Sequence, residues 1–278
     1  MHHSLHVLLT AERDGYYAGY NGDLAEIARV IERAQLYEGQ VFPPTGQPRG
    51  VPSSNVPRHR LIHALQNHDQ VGNRAYGERL HSLCNVAQVN AVTLLLLALP
   101  STPMLFMGQE AGADSPFLYF TDHEGKLGEA VTKGRTAEFA SFAAFRDASA
   151  KEVPDPQDET SFLRSKVDFA GKQAEPSREF HRRALIMRRD DEVLRRPREL
   201  TAGVAGSVLW VLARNSAGTR LVLLNIGDSV TLAEAGPVSI AGARVILSTA
   251  PVLHDGWSLC LPAESCSVFA LATDGSRG

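Results

Sequence analysis

A strand–helix–strand pattern between residues 61 and 107 constrains the fold of this chain more than any other feature. An apolar run at 61–66 is followed by a helical pattern over 82–99 and by a second compact apolar run, PMLFM, at 103–107. Pro100 ends the helix, because proline cannot continue it. Consecutive parallel strands joined by a crossover helix have this pattern, which predicts an α/β fold.

A dense polar cluster, QNHDQVGNR, begins where the first of these strands ends. Functional side chains of α/β barrels gather at the C-terminal ends of the strands. Asp69 is therefore a candidate catalytic carboxylate, with His68, Gln70 and Asn67 as hydrogen-bonding groups for a polyhydroxylated ligand. Asp69 can equally be a solvated loop charge held by neighbouring amides and Arg74, and the residues alone leave the choice open.

Two further groups follow the second strand. Glu110 lies at its end, where it could act at the site, cap a helix or form a salt bridge with Arg74. The aromatic run FLYF at 117–120 precedes the polar loop DHE at 122–124. Aromatic rings beside a polar loop suit either sugar stacking or packing, and both alternatives stay open.

Spacing argues against several other classes of site. The chain has no G-x-S-x-G elbow, no G-x-G-x-x-G or Walker loop, and no H-x-x-x-H pair with a carboxylate between, so no metal and no cofactor is expected. The three cysteines lack CxxC spacing, which favours reduced, buried thiols. A net charge of −3 and a pI near 6.4 give no electrostatic footprint for nucleic acid or an anionic membrane.

The N-terminal sequence has no secretory signal, and the longest apolar run, 91–99, is about half a bilayer span. A cytoplasmic location is therefore expected.

The residue pattern changes from helical spacing to short alternating strands near 198–203, where Pro197 and Gly203 mark a predicted domain boundary. Before it, the spacing predicts helices at 22–36 with Asp23 as the cap, at 128–147 and at 176–195, and a long loop at 39–57. After it, short alternating strands predict an antiparallel β-sandwich, with strands at 207–213, 219–225, 243–248, 257–261 and 266–272.

The polar cluster resembles the fourth signature region of the alpha-amylase family, glycoside hydrolase family 13. Four segments are similar, in this order, to the trehalohydrolases of that family: HHSLHVLLTAERDGYY, LQNHDQVGNRAYGERL, TPMLFMGQEAGADSPFLYFTDH and VPDPQDETSFLRSKVDF. The resemblance covers essentially the whole chain. It implies the C-terminal part of a (β/α)8 barrel over 1–200, about strands six to eight, with 61–66 as strand seven and 103–107 as strand eight. A small C-terminal β-sandwich domain would follow over 201–278.

The resemblance also implies roles for individual residues. Asp69 would be the third catalytic carboxylate, which stabilises the transition state by holding hydroxyls of the sugar being cleaved. His68 would bind the same sugar, and Gln70 and Asn67 would complete the substrate-binding set. The implied reaction is retaining hydrolysis of the α-1,4 bond next to the terminal trehalose of a maltooligosyltrehalose, which releases trehalose.

The nucleophile and general acid of the family match no residue of this chain, because they lie on barrel strands four and five. We therefore expect the isolated chain to be inactive, with an α-glucan and a separate N-terminal half of the barrel as its partners. The alternatives are a non-catalytic carbohydrate-binding or complementing fragment, or another family member such as a branching enzyme. Neither nucleic acid nor membrane is expected as a partner.

Overall fold

The computed structural model describes residues 1–139 and 153–272. Helices alternate with loops up to residue 195, and strands dominate from 199 onward. The α-helices are α1 (His2–Thr10), α2 (Leu24–Arg33), α3 (His68–Gly72), α4 (Val86–Ala98), α5 (Gly125–Phe139), α6 (Glu159–Ser165), α7 (Ala174–Asp190) and α8 (Glu192–Arg195).

Two helices form much of the core. The Asp23 carboxylate accepts a 2.8 Å hydrogen bond from the Glu26 amide and caps α2, as the sequence predicted. The apolar face of α2 is buried, and α4 is buried on all sides from Ala91 to Ala98. Because α4 carries no charged residue, it is stable only when other elements cover it completely.

A five-stranded antiparallel sheet forms the largest β element, in the order β11 (Arg244–Ser248), β14 (Ser265–Leu271), β7 (Gly218–Asn225), β6 (Val208–Asn215) and β5 (Glu199–Ala205). Residues 221–224 on its central strand are continuously apolar, because both faces of that strand are buried.

Different elements cover the two faces of this sheet. Val222 and Leu224 face a core shared with α2 and α4, whereas Leu221 and Leu223 pack with apolar residues of a three-stranded sheet. That smaller sheet consists of β8 (Val230–Leu232), β12 (Leu253–His254) and β13 (Leu259–Leu261). The helical core therefore includes side chains from both sides of residue 200, and the division into two domains there stays a prediction.

The predicted strand–helix–strand unit is present. β3 (Ile62–Ala64) and β4 (Thr102–Met104) form a parallel pair, with Ile62 opposite Thr102 and Ala64 opposite Met104, and α4 connects them. Both strands are shorter than the predicted 61–66 and 103–107. The side chains of Ile62 and Met104 are exposed, with 66% and 38% of each residue's surface accessible.

Several sequence-based expectations differ from the structure. A third parallel strand, expected from the resemblance, is not found in residues 1–139 and 153–272, and residues 2–10 form the helix α1. The strand at 199–205 lies across the predicted boundary at 198–203 and was missed, because its Gly203 and Pro197 neighbourhood resembles a linker. The loop at 39–57 contains a short hairpin, β1 (Val41–Phe42) and β2 (Gln47–Pro48).

Two helices also have different limits from those predicted. The helix predicted at 128–147 begins at Gly125, and its part beyond 139 lies outside the described residues. The helix predicted at 176–195 is two helices, α7 and α8. Two short strands, β9 (Glu234–Ala235) and β10 (Val238–Ser239), form a further small hairpin. None of the helices in the described ranges is long and apolar enough to cross a membrane.

Candidate active site

The polar cluster folds into the one-turn helix α3, directly after β3. The Asn67 side-chain oxygen accepts a 2.7 Å hydrogen bond from the Asp69 amide, and the Gln70 side-chain oxygen accepts a 3.0 Å bond from the Asn67 amide. These reciprocal bonds form a capping box, which satisfies amides that a helix end otherwise leaves unpaired. The local sequence thus explains both the turn and the direction in which it presents its side chains.

Asp69 and His68 project from this helix into solvent. The His68 Nε2 and Asp69 Oδ1 atoms are 3.2 Å apart, and their side chains are 71% and 60% exposed. An exposed carboxylate beside an exposed imidazole is available to bind an incoming polar ligand. Asn67 and Gln70 use their side-chain oxygens for the capping box, while their amide NH2 groups take no part in it.

Arg74, which the sequence offered as a partner for Asp69 or Glu110, binds elsewhere. Its Nη1 and Nη2 atoms donate to the two carboxylate oxygens of Glu12 at 2.7 and 3.0 Å, and its Nε atom donates to Glu78 at 3.3 Å. Two parallel bonds of this kind are stronger and more directional than a single contact. The interpretation of Arg74 as a clamp on Asp69 is therefore wrong, as is the salt bridge to Glu110.

Glu12 has a second partner in His6, whose Nε2 atom lies 2.7 Å from Glu12 Oε2. Burial opposes ionisation of Glu12, but hydrogen bonds from His6 and Arg74 outweigh it and lower its pKa to about 2. His6 is buried and its ring stacks on Tyr17 at a centroid distance of 4.1 Å. The sequence gave no sign of this network, because Glu12 and Arg74 are 62 residues apart.

Arg135 binds the other end of α3. Its Nη2 atom donates to the backbone carbonyls of Gly72 at 2.6 Å and Arg74 at 2.9 Å. The same guanidinium lies 5.0 Å from the centre of the Tyr119 ring, within the range of a cation–π contact. α5 is thereby joined to the end of α3, the helix that carries Asp69.

The aromatic run at 117–120 contains rings of two kinds. Phe117 makes edge contacts with Phe106 at 5.2 Å and with Phe120 at 5.8 Å, and Phe120 makes one with Phe162 at 5.3 Å. These phenylalanines pack against one another. Tyr119 is partly exposed over Arg135 and is the ring of this run that remains suited to stacking on a sugar.

Glu110 lies in a short 3₁₀ helix, Gln109–Ala111, and forms no ion pair among those found in the described parts of the chain. Behind it, the fully buried Arg79 donates to the carbonyls of Ser115 at 2.6 Å and Met107 at 2.8 Å. Arg79 therefore holds the segment after β4 in place through its backbone carbonyls. The sequence did not predict this role.

The cysteine thiols and His63 complete the set of candidate groups. The three cysteines are free thiols, and burial raises the pKa of Cys84 to about 11. Residues 1–139 and 153–272 contain no group of three histidine, cysteine or carboxylate side chains that could hold a metal ion. His63, on β3, is half-buried, and burial lowers its pKa to about 4.

No family model matches the chain, but curated relatives do. It is 42% identical over 257 residues to malto-oligosyltrehalose trehalohydrolase of Deinococcus radiodurans, a match that covers 89% of this chain and 42% of the relative. The protein of the same name from Arthrobacter ramosus is 40% identical over 262 residues, with coverages of 92% and 44%. That from Mycobacterium tuberculosis H37Rv is 33% identical over 281 residues, with coverages of 98% and 46%. The chain thus spans less than half the length of these relatives.

Solved structures agree with these matches. A crystal structure from Salmonella typhimurium, provisionally described as an alpha amylase, aligns with a TM-score of 0.83 at 33% identity and covers 97% of this chain and 45% of its own. A trehalose-6-phosphate hydrolase of Bacillus licheniformis aligns with a TM-score of 0.52 at 14% identity, over 76% of this chain and 43% of its own, which supports the fold alone. Over nearly its whole length, the chain is therefore a relative of the malto-oligosyltrehalose trehalohydrolases of the alpha-amylase family and corresponds to their C-terminal portion.

Proposed function

We propose that this chain contributes Asp69, as the carboxylate that stabilises the transition state, to a glycoside hydrolase of the trehalohydrolase type. That enzyme would hydrolyse the α-1,4 bond next to the terminal trehalose of a maltooligosyltrehalose and release trehalose. One observation carries the proposal. An exposed carboxylate and an exposed imidazole lie on a capped turn directly after a parallel strand, in a chain whose relatives are trehalohydrolases.

In this proposal Asp69, His68, Asn67 and Gln70 each contact the substrate in a different way. Asp69 holds hydroxyls of the sugar whose anomeric carbon reacts, as that carbon approaches an oxocarbenium ion. His68 donates to the same sugar, because its Nε2 atom lies 3.2 Å from the carboxylate and both groups are exposed. Asn67 and Gln70 use their oxygens to hold the turn and offer their amide NH2 groups to the neighbouring sugar.

Retaining hydrolysis needs a nucleophilic carboxylate and a protonated carboxylic acid about 5–5.5 Å apart across the scissile bond. Glu12 does not suit the role of the general acid, since it is bound to Arg74 and His6 and its pKa is lowered to about 2. A general acid instead needs a raised pKa. The resemblance matches neither the nucleophile nor the general acid to a residue of this chain, and we propose that both lie on a separate N-terminal half of the barrel.

The parallel strands support a partner of this kind. In a closed barrel each strand pairs with a neighbour on both sides. Among the residues described, β3 and β4 pair only with each other, and Ile62 and Met104 are exposed. With β3 as barrel strand seven and β4 as strand eight, the N-terminal half would supply the adjacent strands and cover these side chains.

Trehalose release from maltooligosyltrehalose tests the proposal. The purified chain is assayed alone and after co-expression with the N-terminal portion of the Deinococcus radiodurans relative or with any coding sequence found immediately upstream. We expect no release by the chain alone and measurable release by the pair, here called the completed enzyme. Asp69→Asn should lower kcat of the completed enzyme at least about 100-fold, since it removes charge stabilisation of the transition state.

Asp190→Asn is the matched control, because Asp190 is an exposed carboxylate at the end of α7, paired with Arg189. Release by the isolated chain, or an unchanged kcat in Asp69→Asn, contradicts the proposal. Binding of maltooligosaccharide by the pair without any release would instead favour a non-catalytic carbohydrate-binding module.

A further inference from the structure

The side chain of Asp69 has little in the chain to hold it in place. Its carboxylate is exposed and contacts His68, which is itself exposed. The five-residue helix α3 therefore determines where the carboxylate lies. Helices this short are unstable in isolation, because a single turn fixes several residues for very few hydrogen bonds. Contacts from outside α3 must hold it.

Those contacts converge on the C-terminal end of α3 and on the residues that follow. Arg135 donates to the carbonyls of Gly72 and Arg74 from α5. Arg74 in turn extends from the end of α3 to Glu12, in the segment after α1, through two bonds of 2.7 and 3.0 Å. Three segments distant in sequence are thus joined at one point.

The Glu12 end of this link is itself firmly held. The buried His6 ring lies 2.7 Å from the carboxylate and stacks on Tyr17. Thr10 also joins this segment, because its hydroxyl donates to the His6 carbonyl at 2.8 Å and accepts from the Glu12 amide at 3.2 Å. Glu12 is therefore a fixed point, and Arg74 transmits its position to α3.

We propose that Glu12 and Arg74 are a positioning pair for Asp69. They do not touch the sugar, and they fix α3 so that the Asp69 carboxylate meets the substrate at the correct distance. This inference rests on the proposed function of Asp69. Its physical basis is that a misplacement of about 1 Å in a catalytic group can lower the rate about 100-fold.

Kinetics of the completed enzyme test the inference first. Glu12→Gln keeps the shape of the side chain and removes the charge that accepts the Arg74 fork. We expect kcat to fall at least about 10-fold while KM stays within about twofold, because α3 still binds substrate but holds Asp69 less accurately. Arg74→Lys, which keeps the charge and loses the fork, should give the same split between kcat and KM.

Glu179→Gln is the matched control. Glu179 also accepts two bonds from one arginine, Arg182, whose Nε and Nη2 atoms donate to it at 2.7 and 2.8 Å on the exposed surface of α7. This variant should leave kcat unchanged. If Glu12→Gln does not fold, Glu12→Asp takes its place, because it keeps the charge and shortens the reach.

Hydrogen exchange of the 278-residue chain provides a second measurement that needs no turnover. In Glu12→Gln the amides of Val71 and Asn73, which close the turn of α3 through 3.1 Å bonds to Asn67 and Asp69, should exchange at least about 10-fold faster. Amides of β7 should exchange as in the unmodified chain, which shows that the effect is local.

The outcomes separate the two proposals. If Asp69→Asn is inactive while the Glu12 and Arg74 variants keep full kcat, or if α3 exchange is unchanged, the positioning role is overturned and the function of Asp69 stands. If Asp69→Asn keeps full kcat, the proposed function itself fails. A fall in kcat with unchanged KM, together with faster exchange confined to α3, supports the positioning pair.

Discussion

The five-stranded sheet and the parallel pair β3–β4 differ in how completely other elements of the chain cover them. The sheet is covered on one face by α2 and α4 and on the other by a three-stranded sheet, and its central strands are buried on both faces. The parallel pair has one short register of three residues, and Ile62 is exposed on it. The contrast shows which part of the chain covers its own core and which part leaves apolar side chains exposed.

The difference follows from how each kind of sheet satisfies its backbone and its apolar faces. Antiparallel strands joined by short turns find their partners locally, so the C-terminal region can form a complete sheet from consecutive sequence. Parallel strands depend on crossovers and on neighbours that are distant in sequence. β3 and β4 therefore keep unpaired edges and exposed side chains among the described residues, as expected for strands that belong to a larger sheet.

Shortening a buried side chain of the five-stranded sheet should have the largest effect on the free energy of unfolding. Phe269, on β14, is fully buried between the two antiparallel sheets. Phe269→Ala should lower the free energy of unfolding by about 3–5 kcal/mol, through lost burial and the cavity left behind. Urea unfolding followed by circular dichroism measures the loss. Trp257→Ala is the control, because Trp257 is 78% exposed and its removal should change the free energy by less than about 0.5 kcal/mol.

The sequence predicted most strands of the five-stranded sheet, but it predicted the candidate site only in part. The alternating strands and the cap at Asp23 follow from local pattern, and the structure has both. β5 was missed because its small and polar residues have weak alternation. The bonds from Arg74 to Glu12 and from Arg135 to α3 could not be predicted, since their partners are about 60 residues apart and no local pattern records such a contact.

Acid should lower the free energy of unfolding through His63, which lies on β3 of the parallel pair. Burial, together with the nearby charges of the N-terminal amino group and Arg58, lowers the pKa of His63 to about 4. The unfolded chain, with a histidine pKa near 6.5, therefore binds a proton before the folded chain does. The contribution of His63 to stability should be fully present above pH 6.5 and should fall by about 2–3 kcal/mol as the pH drops from 6.5 to 4.

Unfolding free energies measured between pH 4 and pH 7.5 check this expectation. His63→Gln should remove that part of the pH dependence. His254→Gln, which changes an exposed histidine on β12, should leave the profile as it is. An identical slope in His63→Gln and the unmodified chain would contradict the assignment.

The link between Glu12 and Arg74 should have a smaller effect, in a different pH window. The folded pKa of Glu12 is lowered to about 2 from an ordinary 4.5, so its contribution is complete above pH 4.5 and is lost as the pH falls towards 2. Because the Glu12 side chain is 37% exposed, solvent screening leaves a contribution of about 1 kcal/mol. Glu12→Gln should be less stable than the unmodified chain at pH 7, and the difference should vanish near pH 2. A difference that persists undiminished at pH 2 would show that lost packing, not lost charge, causes it.

A substitution at Ile62 should have the smallest effect on the unfolding free energy of the isolated chain. It also gives the sharpest test of the contrast between the five-stranded sheet and the pair β3–β4. Ile62→Asp should change the unfolding free energy of the isolated chain by less than about 0.5 kcal/mol, because the side chain is already in water. In the presence of the proposed N-terminal half, the same aspartate would be buried without a partner, which is costly. Its dissociation constant for that half, measured by calorimetry, should rise at least 10-fold. Leu253→Asp, at an exposed leucine on β12, should change neither quantity. Equal affinity for Ile62→Asp and the unmodified chain would mean that the surface of β3 lies outside the interface, and the parallel pair would then be complete as it stands.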